Sequence, residues 1–393
     1  MWTPLDNFNL FGKALSMLPE RIEEAVRTLE NPDIVDFRAE GGHAIGFFCS
    51  YVPEELLNVE GLASFRMRVL DCHSSEMADS HMGVFNCSFT RHCLEKGLNG
   101  GYEFLDGFVF VPGCDHMRRL YDNWAFFVKP SFLALLDAPH VRDEDALKWY
   151  RDEIESLWKK LSEKFSLPQE PEAVWEGIRR TNRTRELLAE LSRYRWQGAP
   201  RLSGREMQEI SLFAASVPKE RANRVLEDLI AQMKDPPLTD PYRARVLLVG
   251  SHLDDPGFVG VLEETGALVV QDAYCCGLRD QLGLVENLLD GEGGDPFAAI
   301  ARRYLDRLSC PRMYGDYPRR LETIVRMAEE AGVDGIILEH LKFCETWGID
   351  GNVLQNDLRA RGFPVLRLER EYLLSGKGQM RTRVQAFLES MGK

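Results

Sequence analysis

Nine cysteines are the residues of this chain whose type and placement most clearly suggest chemistry. They are Cys49, Cys72, Cys87, Cys93, Cys114, Cys275, Cys276, Cys310 and Cys344. Their odd number fits poorly with complete disulfide pairing. Cysteine is also common as an inert, buried, weakly polar residue. The positions of the thiols therefore have to show whether they form a functional site or only pack in the core.

Four of the cysteines follow short apolar runs that are typical of buried strands. Cys49 follows Ala44–Phe48, Cys114 follows Gly107–Val111, Cys275 follows Ala267–Gln271 and Cys344 follows Gly335–Glu339. In open parallel sheets, ligands bind in the crevice beyond the carboxyl ends of the strands. Core thiols would instead be scattered along the interiors of strands and helices. The placement favours a metal or cluster site.

Several thiolates with few neighbouring histidines suit zinc or an iron–sulfur cluster. A structural zinc site usually shows Cys-x2-Cys knuckles, and the sequence contains none. The closely spaced cysteine run of ferredoxins is absent as well. The ligands must therefore come together from distant segments, as a cluster in a cleft between two domains would require.

The elements that would position these cysteines are clearest in the last third of the chain. Apolar runs at Arg245–Gly250, Ala267–Gln271, Gly335–Glu339 and Val365–Glu369 alternate with amphipathic segments. This alternation predicts βαβ units and a parallel sheet that helices cover on both faces. The N-terminal part repeats the plan, with predicted strands at Ala44–Phe48, Arg66–Leu70 and Gly107–Val111 and a predicted helix at Pro53–Leu62.

A helix-rich region separates the two halves. Glu144–Phe165 and Glu172–Arg195 are amphipathic, and Ser203 with Glu206 has the spacing of a capping box before another helix. Pro236-Pro237 is interpreted as a linker. The predicted fold is α/β, with two Rossmann-like parallel-sheet domains and an additional helical segment. The domains are an N-terminal α/β domain (1–143), a helical segment with linker (144–240) and a C-terminal α/β domain (241–393), with the cluster in the cleft between the two sheet domains.

The composition excludes several classes of function. The chain has 393 residues and a net charge of −14, which argues against a nucleic-acid partner because phosphate binding needs a basic surface. No apolar run reaches the roughly 18–20 residues that a membrane helix needs. The first residues show no secretory signal, so a cytoplasmic protein is expected. The Gly-x4-Gly-Lys-Ser/Thr loop is absent, so the chain is not expected to hydrolyse ATP by itself.

Ordered motifs around these cysteines carry a resemblance to a known family. They include Gly46-Phe-Phe-Cys49-Ser-Tyr, Asn86-Cys87-Ser-Phe-Thr-Arg, Gly113-Cys114-Asp-His-Met-Arg-Arg, Asp272-Ala-Tyr-Cys275-Cys-Gly-Leu-Arg279, Ser309-Cys310-Pro-Arg, Lys342-Phe-Cys344-Glu and Gly378-Gln-Met-Arg-Thr-Arg. The chain resembles the 2-hydroxyacyl-CoA dehydratases and ATP-dependent benzoyl-CoA reductases, with the related double-cubane cluster proteins. The resemblance covers most of the chain and is weakest in the helical middle.

The resemblance implies an oxygen-sensitive iron–sulfur subunit that acts on an acyl-CoA. By motif, the ligands of a [4Fe–4S] cluster would be Cys49, Cys87 and Cys344, which would leave one iron open for substrate. Family members receive an electron from a separate ATP-hydrolysing iron–sulfur activator. They pass it to an acyl-CoA thioester, so that a 2-hydroxyl leaves or an aromatic ring is reduced. A homodimer, or a heterodimer with a sister subunit, is expected.

Cys114, Cys275 and Cys310 leave the number of cubanes open. In the double-cubane relatives, six cysteines of one chain hold an [8Fe–9S] cluster, and all six positions are cysteine here. The alternatives are therefore a double-cubane reductase of small molecules, or a non-catalytic partner subunit that kept the fold. His116 is the candidate proton relay, and Gln379 at a predicted helix start is a candidate contact to a thioester oxygen.

Overall fold

The computed structural model describes residues 18–233, 241–286, 294–373 and 376–393. The proposed linker Pro236-Pro237 lies outside these residues. Within them the chain forms two separate four-stranded sheets, and every strand pair in both sheets is parallel. The predicted α/β fold with two parallel-sheet domains is confirmed.

The N-terminal sheet has the strand order β2-β1-β3-β4. Its strands are β1 (His43–Phe47), β2 (Leu62–Arg66), β3 (Gly107–Phe110) and β4 (Leu133–Leu135). The three residues of β4 form a short edge strand that the sequence prediction missed. All five residues of β2 and all four of β3 are buried, as expected for strands covered on both faces.

Two N-terminal predictions were wrong in detail. The predicted strand was Arg66–Leu70, but the observed strand β2 ends at Arg66. It begins directly after Gly61, whose φ of +84° favours glycine. Met67 and Arg68 continue as buried chain outside the strand. The predicted helix Pro53–Leu62 is a single 3₁₀ turn, Glu54–Leu57.

The C-terminal sheet has the strand order β6-β5-β7-β8. Its strands are β5 (Ala244–Gly250), β6 (Ala267–Ala273), β7 (Gly335–Leu341) and β8 (Val365–Arg370). Each contains its predicted run and extends it by no more than two residues. Both sheets therefore have the same topology, in which the chain crosses from the first strand to one neighbour and then returns to the other side.

Fifteen α-helices lie in the described residues. The first nine are α1 (Glu20–Arg27), α2 (Pro32–Ala39), α3 (Glu76–Asp79), α4 (Ser88–Leu98), α5 (Asp115–Asn123), α6 (Glu144–Phe165), α7 (Pro171–Arg193), α8 (Gly204–Ala214) and α9 (Lys219–Gln232). The remaining six are α10 (Pro256–Glu263), α11 (Leu278–Gln281), α12 (Pro296–Asp306), α13 (Tyr317–Ala331), α14 (Glu345–Ala360) and α15 (Lys377–Ser390). A π-helical turn, Trp124–Val128, continues α5.

The helical middle joins the two sheets. The predicted capping box forms at the start of α8, where Ser203 and Glu206 satisfy each other's backbone N–H groups. A core cluster contains β1 residues together with residues of α6 and α12, so the N-terminal domain also packs against a helix from the last third of the chain. A fully buried ion pair links Arg185 of α7 to Glu55, with 2.6 Å between Nη1 and Oε1. None of the described helices is long and apolar enough to cross a membrane.

Candidate iron–sulfur site

Six cysteines lie within electrostatic range of one another near the carboxyl ends of the two sheets, and we call the region that they surround the cleft. Cys49 lies two residues after β1, Cys114 four after β3, Cys275 two after β6 and Cys344 three after β7. Cys87 precedes α4, and Cys310 lies in the connection between α12 and α13. The predicted position of thiols beyond strand ends is therefore what the structure shows.

Three of these thiols occupy the N-caps of helices, and we call them the N-cap side of the cleft: Cys87 before α4, Cys114 before α5 and Cys344 before α14. The first turn of a helix has unpaired N–H groups and carries partial positive charge. A thiolate or an anionic cluster is favoured there for the same reason as a phosphate.

On the N-cap side, burial opposes the stabilisation of thiolates by the helix N-termini. Burial raises the pKa of the Cys87 thiol to about 12, and the nearby Cys344 adds to the rise, although the N–H groups of Phe89 and Thr90 favour the thiolate. Burial likewise raises the pKa of Cys114 to about 12 and that of Cys344 to about 12. Burial outweighs the helix N-termini, so the metal-free thiols stay protonated at neutral pH. A bound metal would have to displace those protons.

The other three thiols, Cys49, Cys275 and Cys310, lie among buried guanidinium groups, and we call them the arginine side. Burial raises the pKa of Cys275, whereas Arg279 lowers it, and Arg279 Nη2 donates a hydrogen bond to Cys275 Sγ. A Cβ on Gly113 would lie 3.7 Å from Cys49 Sγ and 3.7 Å from Arg312 Nε. The thiol and the guanidinium therefore both border the small space beside Gly113.

Two further guanidinium groups complete the arginine side. Arg307 donates to Asp280 Oδ1 at 2.7 Å and also to the carbonyl of Ser50, which follows Cys49. Arg66 ends β2 directly beside Phe47, the last residue of β1, with its guanidinium carbon 5.2 Å from the Phe47 ring centroid. Asp280 is the carboxylate that faces both Arg66 and Arg307. Cations thus outnumber carboxylates around these three thiols.

The two sides form one connected set. The pKa values of the thiols depend on their neighbours: Cys87 responds to Cys344, Cys114 to Cys87, Cys49 and Cys310, and Cys275 to Cys310. Within the described ranges, no group of three His, Cys, Asp or Glu side chains is close enough to hold a single metal ion. The thiolates of a cubane bind different iron atoms and must stand further apart. Six thiols with few histidines nearby are a donor set of the kind that iron–sulfur clusters use.

His116 and Gln379, the two predicted catalytic residues, lie in different surroundings. His116 is buried at the second position of α5, and its Nδ1 is 2.9 Å from Asn86 Oδ1, the residue before Cys87. In the neutral ring Nδ1 therefore carries the proton, and the buried Nε2 has no hydrogen-bond partner among the described residues. Gln379 is exposed in the first turn of α15, and the structure shows no contact between it and a cysteine in the described ranges.

The remaining three thiols lie apart from these positions. Cys93 is fully buried within α4, and Cys72 donates to the carbonyl of Ser74 at 3.1 Å. Cys276 Sγ lies 3.6 Å from His252 Nδ1, and His252 Nε2 lies 3.3 Å from Asp254 Oδ2. Burial raises the pKa of the Cys276 thiol far above its ordinary value, so it is not an activated nucleophile.

The arginines are the site residues that the sequence prediction missed. Arg279 follows Cys275 by four residues and Arg312 follows Cys310 by two, so a basic residue shortly after a cysteine was the available signal. Arg66 offered no such signal, because no cysteine shortly precedes it and Cys72, which follows it, is not one of the six. Its place in the cleft depends on the pairing of β1 with β2.

Comparison with known proteins agrees with this geometry. The sequence profile of the family described as 2-hydroxyglutaryl-CoA dehydratase, D-component, matches residues 49–391. This chain belongs to that family. The match begins at Cys49, two residues after the end of β1, and spans the other seven strands and the helical segment. It confirms the family that the cysteine motifs indicated.

Individual relatives are distant but similar over most of their length. The putative dehydratase subunit YjiM of Escherichia coli is 25% identical over 369 residues, which is 91% of this chain and 94% of that protein. The (R)-phenyllactyl-CoA dehydratase beta subunit of Clostridium sporogenes is 25% identical over 360 residues, or 89% and 92%. A subunit of the benzoyl-CoA reductase of Thauera aromatica is 22% identical over 310 residues, or 77% and 78%. All three are named as subunits.

Proposed function

We propose that this chain is the iron–sulfur subunit of a cytoplasmic 2-hydroxyacyl-CoA dehydratase or benzoyl-CoA reductase-type enzyme. It would hold a [4Fe–4S] cluster through Cys49, Cys87 and Cys344 and work beside a sister subunit. A separate ATP-hydrolysing activator would reduce it, and an acyl-CoA would be its substrate. The observation that carries the proposal is the meeting of six thiols from both sheets in one cleft, in a chain of this family.

The surroundings of the thiols support a site for a buried anionic group. Three helix N-termini and four arginines face the cleft, so negative charge there meets favourable electrostatics from both sides. When bound, the cluster would supply single low-potential electrons to the thioester carbonyl. His116 would accept and return a proton at Nε2 during the reaction, because Asn86 Oδ1 keeps the proton of the neutral ring on Nδ1.

The number of cubanes is the main alternative within this proposal. The pKa of Cys114 responds to Cys310, and so does that of Cys275. Cys114 also responds to Cys87 and Cys49, so the second set of thiols lies within electrostatic range of the first. This arrangement supports a double-cubane [8Fe–9S] reductase as the second candidate function.

Iron and acid-labile sulfide in the anaerobically purified chain separate these possibilities. About four iron atoms per chain would support a single cubane and about eight a double one. Zinc alone, or no metal after reconstitution with iron and sulfide, would overturn the proposal. Cys344→Ala should abolish the cluster absorbance, whereas Cys93→Ala, a matched buried thiol outside the set, should leave it unchanged.

Activity is the second test. The reconstituted chain, its sister subunit, the activator and ATP should release water from a 2-hydroxyacyl-CoA or reduce an aromatic acyl-CoA. Omission of ATP should stop the reaction. A cluster-containing complex that transforms neither class of thioester, but reduces a small molecule without CoA, would favour the second candidate.

A further inference from the structure

Arg66 is a buried cation that the proposed function does not yet use. Its side chain is 2% exposed, and in the described part of the chain no carboxylate lies within ion-pair distance of it. Its buried Nε and Nη1 atoms have no hydrogen-bond partner among the residues that the structure describes. Burying a charge without a partner is costly, so proteins rarely keep one without a counter-charge.

A second buried arginine shows what a purely structural role looks like. Arg68, two residues further on, is equally buried, and its guanidinium donates to the backbone carbonyls of Val26, Ala25 and Thr28. Those bonds tie α1 to the end of β2. The Arg66 side chain makes no comparable bond, and its backbone N–H alone is held, by the carbonyl of Ala215.

The groups around Arg66 identify its missing counter-charge. Burial lowers the pKa of Arg66, yet Cys276, Asp280, Cys275 and Cys49 together raise it above its ordinary value. Asp280 is already bonded to Arg307 at 2.7 Å. Arg66, Cys276 and Asp280 also line one small cavity of about 30 Å³, which is large enough for about one water molecule. Cys276 is not among the six proposed ligands, but the Arg66 guanidinium carbon also lies 5.2 Å from the ring of Phe47, two residues before Cys49. The unpaired positive charge therefore lies at the end of β1 that leads into the arginine side.

We propose that the Arg66 guanidinium is the built-in counter-charge of the iron–sulfur group and raises its reduction potential. This inference rests on the proposed function. Reduction adds one negative charge to the cluster, and a fixed cation nearby stabilises the reduced form more than the oxidised one. The role belongs to the charge itself and not to a hydrogen bond, because the Nε and Nη1 atoms of Arg66 bond to no thiol among the described residues.

The test compares three variants of the reconstituted chain by redox titration monitored by electron paramagnetic resonance. Arg66→Gln keeps a polar side chain but loses the charge, whereas Arg66→Lys keeps the charge. Arg245→Gln makes the same change in net charge at the amino end of β5, the opposite end of that strand from the cysteine cleft. Iron content and the unfolding midpoint are measured on each variant, so that loss of the fold is recognised.

We expect R66Q to need a lower potential for reduction. At the wild-type midpoint its ratio of reduced to oxidised cluster should fall about tenfold, which is about 59 mV for one electron. R66K and R245Q should stay within about twofold of wild type. If R66Q fails to hold iron while R66K holds it, the counter-charge role is supported as well.

Other outcomes would overturn the inference. They are an R66Q potential equal to that of R245Q, an equal shift in R66Q and R66K, or loss of iron in both Arg66 variants. A wild-type chain that never holds iron and sulfide would refute the proposed function and this inference together. A wild-type chain with a normal cluster and an unshifted R66Q refutes this inference alone.

Discussion

On the N-cap side of the cleft, Cys87, Cys114 and Cys344 meet helix N-termini and apolar side chains. On the arginine side, Cys49, Cys275 and Cys310 meet full positive charges. The first arrangement offers partial charges from main-chain amides, which burial outweighs in the metal-free chain. The second offers guanidinium groups that keep their charge at any physiological pH. The cleft therefore offers a bound anion two kinds of positive charge, the partial charges of main-chain amides and the full charges of arginines.

The difference has a consequence for assembly. Thiols that remain protonated until metal arrives release protons on binding, so cluster formation on the N-cap side should depend strongly on pH. On the arginine side burial also raises the pKa of Cys275, but the guanidinium of Arg279, which donates to its Sγ, offsets part of that rise. Experiments that act on one side at a time can test this difference.

The largest expected effect concerns thiol reactivity on the N-cap side. The pKa of Cys344 is raised to about 12 from an ordinary 9.0, so its thiolate fraction near pH 8 should be about a thousandfold below that of an ordinary thiol. In the metal-free chain, alkylation of Cys344 should rise about tenfold per pH unit from pH 8 to pH 10 without a plateau. Peptide mapping by mass spectrometry measures the rate at this residue.

The same thiol in the urea-unfolded chain is the control for Cys344. There its alkylation rate should level off as the pH passes about 8.5–9. A plateau near pH 9 in the folded chain would show that the start of α14 outweighs burial, and the contrast between the two sides would then be lost.

The next effect concerns the charge balance of the arginine side. Asp280→Ala removes the carboxylate that lies 2.7 Å from the buried guanidinium of Arg307. A buried charge that loses its partner typically costs about 3–5 kcal/mol. We expect about 3 kcal/mol here, because Arg307 keeps its bond to the carbonyl of Ser50. Urea unfolding of the metal-free chain measures the loss.

Two variants complete the test of Asp280. Asp152→Ala removes an exposed carboxylate that lies 3.0 Å from Arg151, and it should change the free energy of unfolding by about 1 kcal/mol or less. Adding Arg307→Met to Asp280→Ala should restore much of the lost stability, because the guanidinium that lost its ion-pair partner is then absent as well. Equal losses in D280A and D152A would mean that Asp280 does not balance the arginines.

The C-terminal sheet could be predicted well because its strands are continuous apolar runs. Fully buried parallel strands have this pattern, and β5 to β8 matched it within two residues. β2 was misplaced because the buried run continues through Met67 after the pairing with β1 has ended. β4 was missed because three residues carry no periodicity.

The position of the cysteines at strand ends could also be predicted, since it follows from local sequence alone. The division of the cleft into two sides could not. It depends on which helix begins after a given thiol and on which side chains arrive from other segments. Arg66 shows this best, because only the register of Phe47 opposite Arg66 brings its charge to the end of β1.

The smallest expected effect concerns a hydrogen bond that joins the N-cap side to the second sheet. Ser88, the first residue of α4, is buried, and its Oγ accepts a hydrogen bond of 2.9 Å from the backbone N–H of Tyr372. Ser88→Ala leaves that buried N–H without a partner, which should cost about 1–3 kcal/mol in the free energy of unfolding. Ser80→Ala, an exposed serine that bonds the Glu76 carbonyl, is the matched control and should stay within about 0.5 kcal/mol of wild type. An S88A chain as stable as S80A would mean that the N-cap side is held by packing of Phe89 on His252, whose ring centroids are 3.7 Å apart, and not by this hydrogen bond.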